Sequence, residues 1–209
     1  MTANNKNGAR LPRPERRQQL LHVAKDVFAE QGFEAASLEQ IAELAGISRP
    51  ILYSHFGDKH GLFEAVIEQE ISRLKSVVTQ SLLEPGETDQ LLERCLRAFF
   101  TDMHENPTGH IVVTRDVPTG LSNSGLDQML ASLGTQITDV IVSNNRVTGG
   151  EPVTAAIYAH ALIGAAMQVG CWWREQADVS VEDVVAATTS LFGNGFTGIR
   201  ANNLADNGG

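Results

Sequence analysis

The chain has 209 residues, 42% of them hydrophobic and 20% charged, which is enough apolar material for a sizeable core and too much for a disordered chain. Its two cysteines, Cys95 and Cys171, have neither disulfide-framework nor metal-site spacing, and MTANNKNGAR lacks the apolar stretch of a signal peptide, so a bacterial-type cytoplasm is expected. The net charge of -9 would disfavour nucleic acid if it were evenly spread, but residues 1–59 carry eight Lys/Arg against seven Asp/Glu, and residues 60–209 carry eight against eighteen.

The chain opens on a basic arm, with Lys6, Arg10, Arg13, Arg16 and Arg17 against Glu15 alone. Such an arm is either a solvated tail or a DNA contact. Disorder is expected over residues 1–14 and again over 202–209. Leu20, Ala24, Val27, Phe28 and Gln31 then fall at helical spacing, predicting a helix over about 15–31 that stops at Gly32-Phe33. Ser37-Leu38-Glu39-Gln40 reads as a capping box opening a second helix, whose apolar face is Leu38, Ile41, Ala42 and Ala45 and whose end is Gly46. Ser48 caps a third helix with Pro50 in its first turn, and Gly57-Asp58 stops it and caps a fourth. That fourth helix carries an apolar stripe from Phe63 through Glu70 to Val78 and is broken by Pro85-Gly86.

Beyond it the pattern stays helical: Leu91 to Met103, a β-branched piece near 107–117, Leu126 to Ile141, Pro152 to about 176, and a last helix capped by Ser180-x-x-Asp183 and running to about 200. No strand alternation is convincing, and the count is nine helices. The fold class is all-α.

Two short helices joined by Gly46-Ile47-Ser48 have helix-turn-helix spacing, in which the second helix enters a major groove while the first braces it. At about 100° per residue, Arg49, Pro50, Tyr53 and Ser54 share one side of the third helix, and Ile51, Leu52 and His55 the other, predicted to be packed. The first side holds a guanidinium for a guanine edge, a proline ring for a thymine methyl, and hydroxyls for phosphates.

The run AEQGFEAASLEQIAELAGISRPILYSHFGDKHGLFEAV resembles the N-terminal domain of TetR-family regulators, closely so over residues 15–70. The specific elements are Gly32-Phe33, Ile41-Ala42 with Ala45-Gly46-Ile47, and Leu52-Tyr53-Ser54-His55-Phe56 followed by Lys59. The resemblance implies that Arg49, Pro50 and Tyr53 face bases and that Ser37, Ser48, Ser54, His55 and Lys59 hold phosphates. On geometry alone His55 lies toward the packed side, so phosphate contact and a core-edge role both stand. It also implies a helix-turn-helix DNA-binding domain over 15–60 with a linking helix to 83, and a ligand-binding and dimerisation domain over 61–201. The expected partners are double-stranded DNA bearing a palindromic operator, a second copy in a homodimer, and a small-molecule effector. Repression is the family default, although activators occur in it.

The second part must be read largely by itself. Ala155 to Trp173 is almost wholly apolar and nearly long enough to span a bilayer, but His160 and Gln168 interrupt it and Arg174-Glu175 follows at once, so a helix buried all round is expected and no membrane partner. Ala159, Gly164, Ala165, Ala166 and Gly170, with Gly193, Gly195 and Gly198, allow close helix approach between subunits. Candidate ligand contacts are Phe99, Phe100, Met103, Met129, Met167, Trp172 and Trp173, with His104, Arg115 and His160 as polar anchors; each has plain core packing as its competing role. An effector for this set is apolar or amphipathic. No nucleophile elbow, phosphate-cradling glycine loop or di-iron motif occurs, and the six histidines are scattered, so neither enzyme activity nor a metal or cofactor is expected. The alternatives are a constitutive DNA-binding protein and a helical small-molecule-binding protein without a switch.

Overall fold

The computed structural model describes residues 11–114, 124–143 and 151–198. Lys6, Arg10, Arg115, most of the segment expected to be a disordered arm and the tail from Asn202 lie outside the described residues. Those described form nine helices and no strand: α1 (Arg13–Ala35), α2 (Leu38–Leu44), α3 (Arg49–Phe56), α4 (Lys59–Leu83), α5 (Thr88–Glu105), α6 (Pro107–Thr114), α7 (Ser124–Ser143), α8 (Pro152–Trp173) and α9 (Val181–Gly198).

The chain divides into two compact units. Among the described residues the first comprises 11–69 and 111–114; the second comprises Glu70–His110, 124–143 and 151–198. The sequence placed a single cut near residue 60. In the structure α4 and α6 each contribute one part to each unit.

Local rules explain the first unit. Gly32, at φ 79°, interrupts α1 where the stop was expected, and a last turn carries on to Ala35. Ser37 Oγ accepts the Gln40 N–H at 3.1 Å to start α2, and Gly46 (φ 65°) and Gly57 (φ 78°) take the left-handed backbone that ends α2 and α3. Asp58 Oδ1 accepts the Gly61 N–H at 2.8 Å and caps α4. Around these turns Leu20, Phe28, Ile41, Leu52, Leu62, Val66 and Val112 are almost wholly buried. Phe63 meets the edge of Phe28 with ring centroids 5.0 Å apart.

In the second unit α7 packs along α8, and α5 along α9. The α5 helix starts three residues before the apolar pattern does, because Glu87 and Gln90 form a capping box ahead of Leu91. Ser180 and Asp183 form the expected one at α9, with the Asp183 N–H 3.1 Å from Ser180 Oγ and the Ser180 N–H 3.3 Å from Asp183 Oδ2. Two hydrogen bonds donated by Ser180, from its hydroxyl to Oδ2 at 2.6 Å and from its backbone N–H, hold the Asp183 carboxyl below its ordinary pKa. Trp173 sits edge-on to Phe100 at 5.8 Å and donates its indole N–H to the Val179 carbonyl at 2.8 Å.

The α8 helix corrects an expectation. It is long and apolar enough to cross a membrane, with mean hydropathy 1.4, but only 22% of that window is buried. Ala155, Ala159, Ala166, Gly170 and Trp173 face inward, whereas Val153, Ile157 and Trp172 are 68%, 60% and 50% exposed. The packing of α7 covers one side of the helix and leaves an apolar stripe on the other.

Candidate nucleic-acid interface and effector cavity

The α3 helix is anchored by one fully buried side chain, Leu52, with Phe56 partly buried beside it. Those two lie about 40° apart around the helix, so Pro50, Ile51 and Ser54, each about 100° or more from both, emerge, while Arg49 in the first turn and Tyr53 lie nearer that strip in angle. Arg49, Pro50, Tyr53 and Ser54 are exposed as expected. Ile51 is exposed too, at 41%, against the expectation that it packs: it lies about 100° from Leu52 and 140° from Phe56, and a helix of two turns buries only a narrow strip. The outward face therefore offers a guanidinium, a proline ring, a branched aliphatic, a phenol and a hydroxyl, which suits base edges and thymine methyls.

The other candidate DNA residues differ in what they have left to give. The Ser37 oxygen accepts from Gln40, which leaves its O–H as a donor for a phosphate. Ser48 stands at the N-terminus of α3 and its hydroxyl makes no capping bond. Ser54 donates its proton to the Ile51 carbonyl at 2.7 Å and reaches a phosphate only by turning away from it. Lys59 is half-buried: Nζ donates to the Glu34 carbonyl at 3.0 Å and stands 4.6 Å from the Phe33 ring centroid, leaving two N–H groups for an anion. Arg49 is about half exposed and paired with Glu39 of α2.

His55 is partly buried next to Phe56. Desolvation, then the charges of Arg13, Arg17 and Arg16, push its imidazole below the ordinary histidine value, which favours the neutral ring. Arg13 begins α1 instead of belonging to a loose arm. Arg17 lies over the Phe56 ring at 4.6 Å, and Arg16 donates to Gln19 Oε1 at 2.6 Å, while Gln19 reaches the Ala45 carbonyl at 3.3 Å. The start of α1 thus presents ordered positive charge beside the end of α3.

The second unit holds an apolar groove of about 460 Å³ walled by Leu91, Val140, Tyr158, Leu191 and Phe192, among others. Cys95, Ile137 and Leu162 are shared with an inner void of about 60 Å³ bounded by Leu74, Phe99, Met129 and Met167. The void holds no more than a water or two, whereas the groove falls in the range of small-molecule sites, roughly 300–1,000 Å³. Phe99, Met129 and Met167 therefore line the void; Met103, His104 and Trp173 line a separate, more polar cleft of about 310 Å³. Phe100 is fully buried core, and His160 and Trp172 lie exposed on α8. The aliphatic wall was missed because in sequence it is indistinguishable from core.

A buried polar cluster was missed as well. The Arg73 guanidinium hydrogen-bonds both Asp102 oxygens, Nη2 to Oδ2 at 2.9 Å and Nη1 to Oδ1, and its Nε donates to Glu70 Oε2 at 3.1 Å. Asn106 Nδ2 donates to that same Glu70 oxygen at 2.6 Å, and His110 Nε2 lies 2.9 Å from Asp102 Oδ2. Burial pushes the Asp102 carboxyl up, but hydrogen bonds from His110 and Arg73 and their charges outweigh it and hold it below its ordinary value. The sequence signal was Glu70, a charge on the apolar stripe of α4. Among the described residues no group of three or more His, Cys, Asp or Glu is placed to hold a metal ion.

Residues 20–66 match the model of the family described as bacterial regulatory proteins, tetR family. Over 109 residues the chain is 39% identical to the HTH-type transcriptional activator FasR of Mycolicibacterium smegmatis, a match covering 52% of this chain and 50% of FasR. Over 65 residues it is 38% identical to the HTH-type transcriptional repressor AcnR of Corynebacterium glutamicum, covering 31% of this chain and 35% of AcnR. The chain thus spans about half or less of the length of these curated relatives. The crystal structure of a TetR-like transcriptional regulator from Rhodococcus sp. RHA1 superposes with a TM-score of 0.72 at 27% identity, covering 90% of this chain and all of that one.

Proposed function

The chain belongs to the TetR family of bacterial regulatory proteins, and from that premise we propose that it regulates transcription as a homodimer, reads a palindromic operator with α3, and leaves it when a small apolar or amphipathic effector enters the second unit. The observation that carries this reading is the outward face of α3, held by Leu52 and otherwise exposed. Arg49, Pro50 and Tyr53 read bases; Ser37, Ser48, Ser54, His55 and Lys59 position the backbone, together with the arginines that open α1. The two printed functions among the relatives, activator for FasR and repressor for AcnR, leave the sign to experiment, and repression is the sign we propose.

Dimerisation is supported by the exposed apolar stripe of α8. A two-fold interface places the same patch on both subunits, and Val153, Ile157 and Trp172 are suited to meet their own copies. We expect Ile157→Glu to shift the protein toward monomer in sedimentation at micromolar concentration. The effector is assigned to the groove of about 460 Å³, which shares Cys95, Ile137 and Leu162 with the inner void. A near-complete switch requires the effector to favour the DNA-incompetent state by about 5.5 kcal/mol.

Sequencing of random duplexes retained by the protein tests the central claim. An enriched palindrome is expected, and the absence of any enriched site overturns operator reading. On that duplex Arg49→Ala should cost about 1–3 kcal/mol and relax one position, whereas Lys59→Ala should weaken all sequences and flatten the salt dependence by about one phosphate. An effector should raise the melting temperature in proportion to ln(1 + [L]/Kd) and release the duplex. Stabilisation without release points to the constitutive alternative.

A further inference from the structure

Glu39 stands on the reading surface with the wrong sign of charge for DNA. It lies in the first turn of α2, and its Oε1 meets Nη2 of Arg49 across the turn that joins α2 to α3. Both side chains are about half exposed, 54% for Glu39 and 52% for Arg49. The packing of this unit does not depend on the pair, because α2 is held by Leu38, Ile41 and Ala42 and α3 by Leu52. An ion pair this exposed has little effect on folding, so its consequence is for what approaches the surface.

The consequence differs between sequences. On a duplex that offers Arg49 only phosphates, leaving Glu39 exchanges one oxyanion for another and strands a carboxylate near the DNA backbone. A guanine edge offers O6 and N7 together, two acceptors in the plane of the guanidinium, and the five N–H groups of arginine allow both to be met. We propose that Glu39 is a specificity-determining residue that acts through Arg49: it withholds the guanidinium from non-specific phosphates and yields it only to a base edge that accepts two of its N–H groups. This rests on the operator-reading role assigned to α3 above.

The test measures binding of the full chain to the duplex enriched by the wild type and to one of the same composition with both half-sites scrambled, over a salt series. For Glu39→Gln, affinity for the scrambled duplex should rise about three- to tenfold with a salt slope steeper by about one, and affinity for the enriched duplex should rise less. In an Arg49→Ala background the same substitution should have a much smaller effect, since the two residues act as a unit. An unchanged preference, equal gains on both duplexes, or a full effect without Arg49 overturns the proposal; so does a loss on the enriched duplex alone, which would make Glu39 a direct base reader. A wild type that prefers neither duplex overturns operator reading and this inference with it. A wild type that discriminates while Glu39→Gln keeps its preference overturns this inference alone.

Discussion

The two units solve the same problem, burying helices, by different means. In the first, helices of seven and eight residues are set by punctuation, Ser37, Gly46, Gly57 and Asp58, over an apolar core in which Leu52 anchors α3. In the second, α7 and α8, of 20 and 22 residues, are apolar over much of their surface and their rotation is settled by their neighbours, while the cluster of Glu70, Arg73, Asp102, Asn106 and His110 links α4, α5 and the start of α6. Short, punctuated elements show their exposed face in the sequence; long apolar ones conceal which face is covered.

One of the two large expected effects lies in the second unit. Asp102→Ala should cost about 3 kcal/mol or somewhat more in urea unfolding, the lower part of the range for breaking a buried pair because Arg73 is partly exposed. Asp102 is depressed in the folded state, so its contribution is complete above the ordinary carboxylate range and is lost as pH falls through the depressed value. The variant should accordingly show a shallower acid limb than the wild type. Equal acid limbs would mean that this cluster does not distinguish the second unit from the first.

Next come two neighbours on α3. Leu52→Ala should cost about 2–5 kcal/mol of stability, whereas Ile51→Ala should stay within about 0.5 kcal/mol and instead weaken DNA binding. Equal destabilisation by both would restore Ile51 to the packed side.

Two glycines give the smaller effects. A Cβ on Gly61 would lie 2.2 Å from the Phe56 carbonyl oxygen, and that backbone moves only if the end of α3 moves with it. Gly61→Ala should cost about 1–3 kcal/mol and weaken DNA binding. A Cβ on Gly170 would come as close as 2.4 Å to the Met103 sulfur, but this is the far end of a flexible side chain on a helix that gains from alanine. Gly170→Ala should cost less than about 1 kcal/mol in thermal unfolding. A reversal of that order would show the first unit to be the more compliant of the two.

Much of the candidate DNA site was legible because its determinants are local. A hydroxyl three residues from an amide, or a glycine where the backbone turns left-handed, acts within one turn, so Ser37, Gly46 and Gly57 announce the helix ends and the Ser180-Asp183 cap likewise. The groove was less legible: Leu91, Ile137 and Leu162 have the same pattern whether they meet a ligand or one another.

The sequence by itself determined the all-helical class, the helix-turn-helix and the exposed side of α3 that carries Arg49, Pro50 and Tyr53, since hydrogen bonds and steric limits within a few residues suffice for them. Only the tertiary structure decided that Ile51 faces outward, that Arg49 rests on Glu39, that α6 divides between two units, and that α8 keeps an apolar face uncovered. Each depends on which surfaces meet between segments distant in the chain, and a helical period names a face without naming its partner.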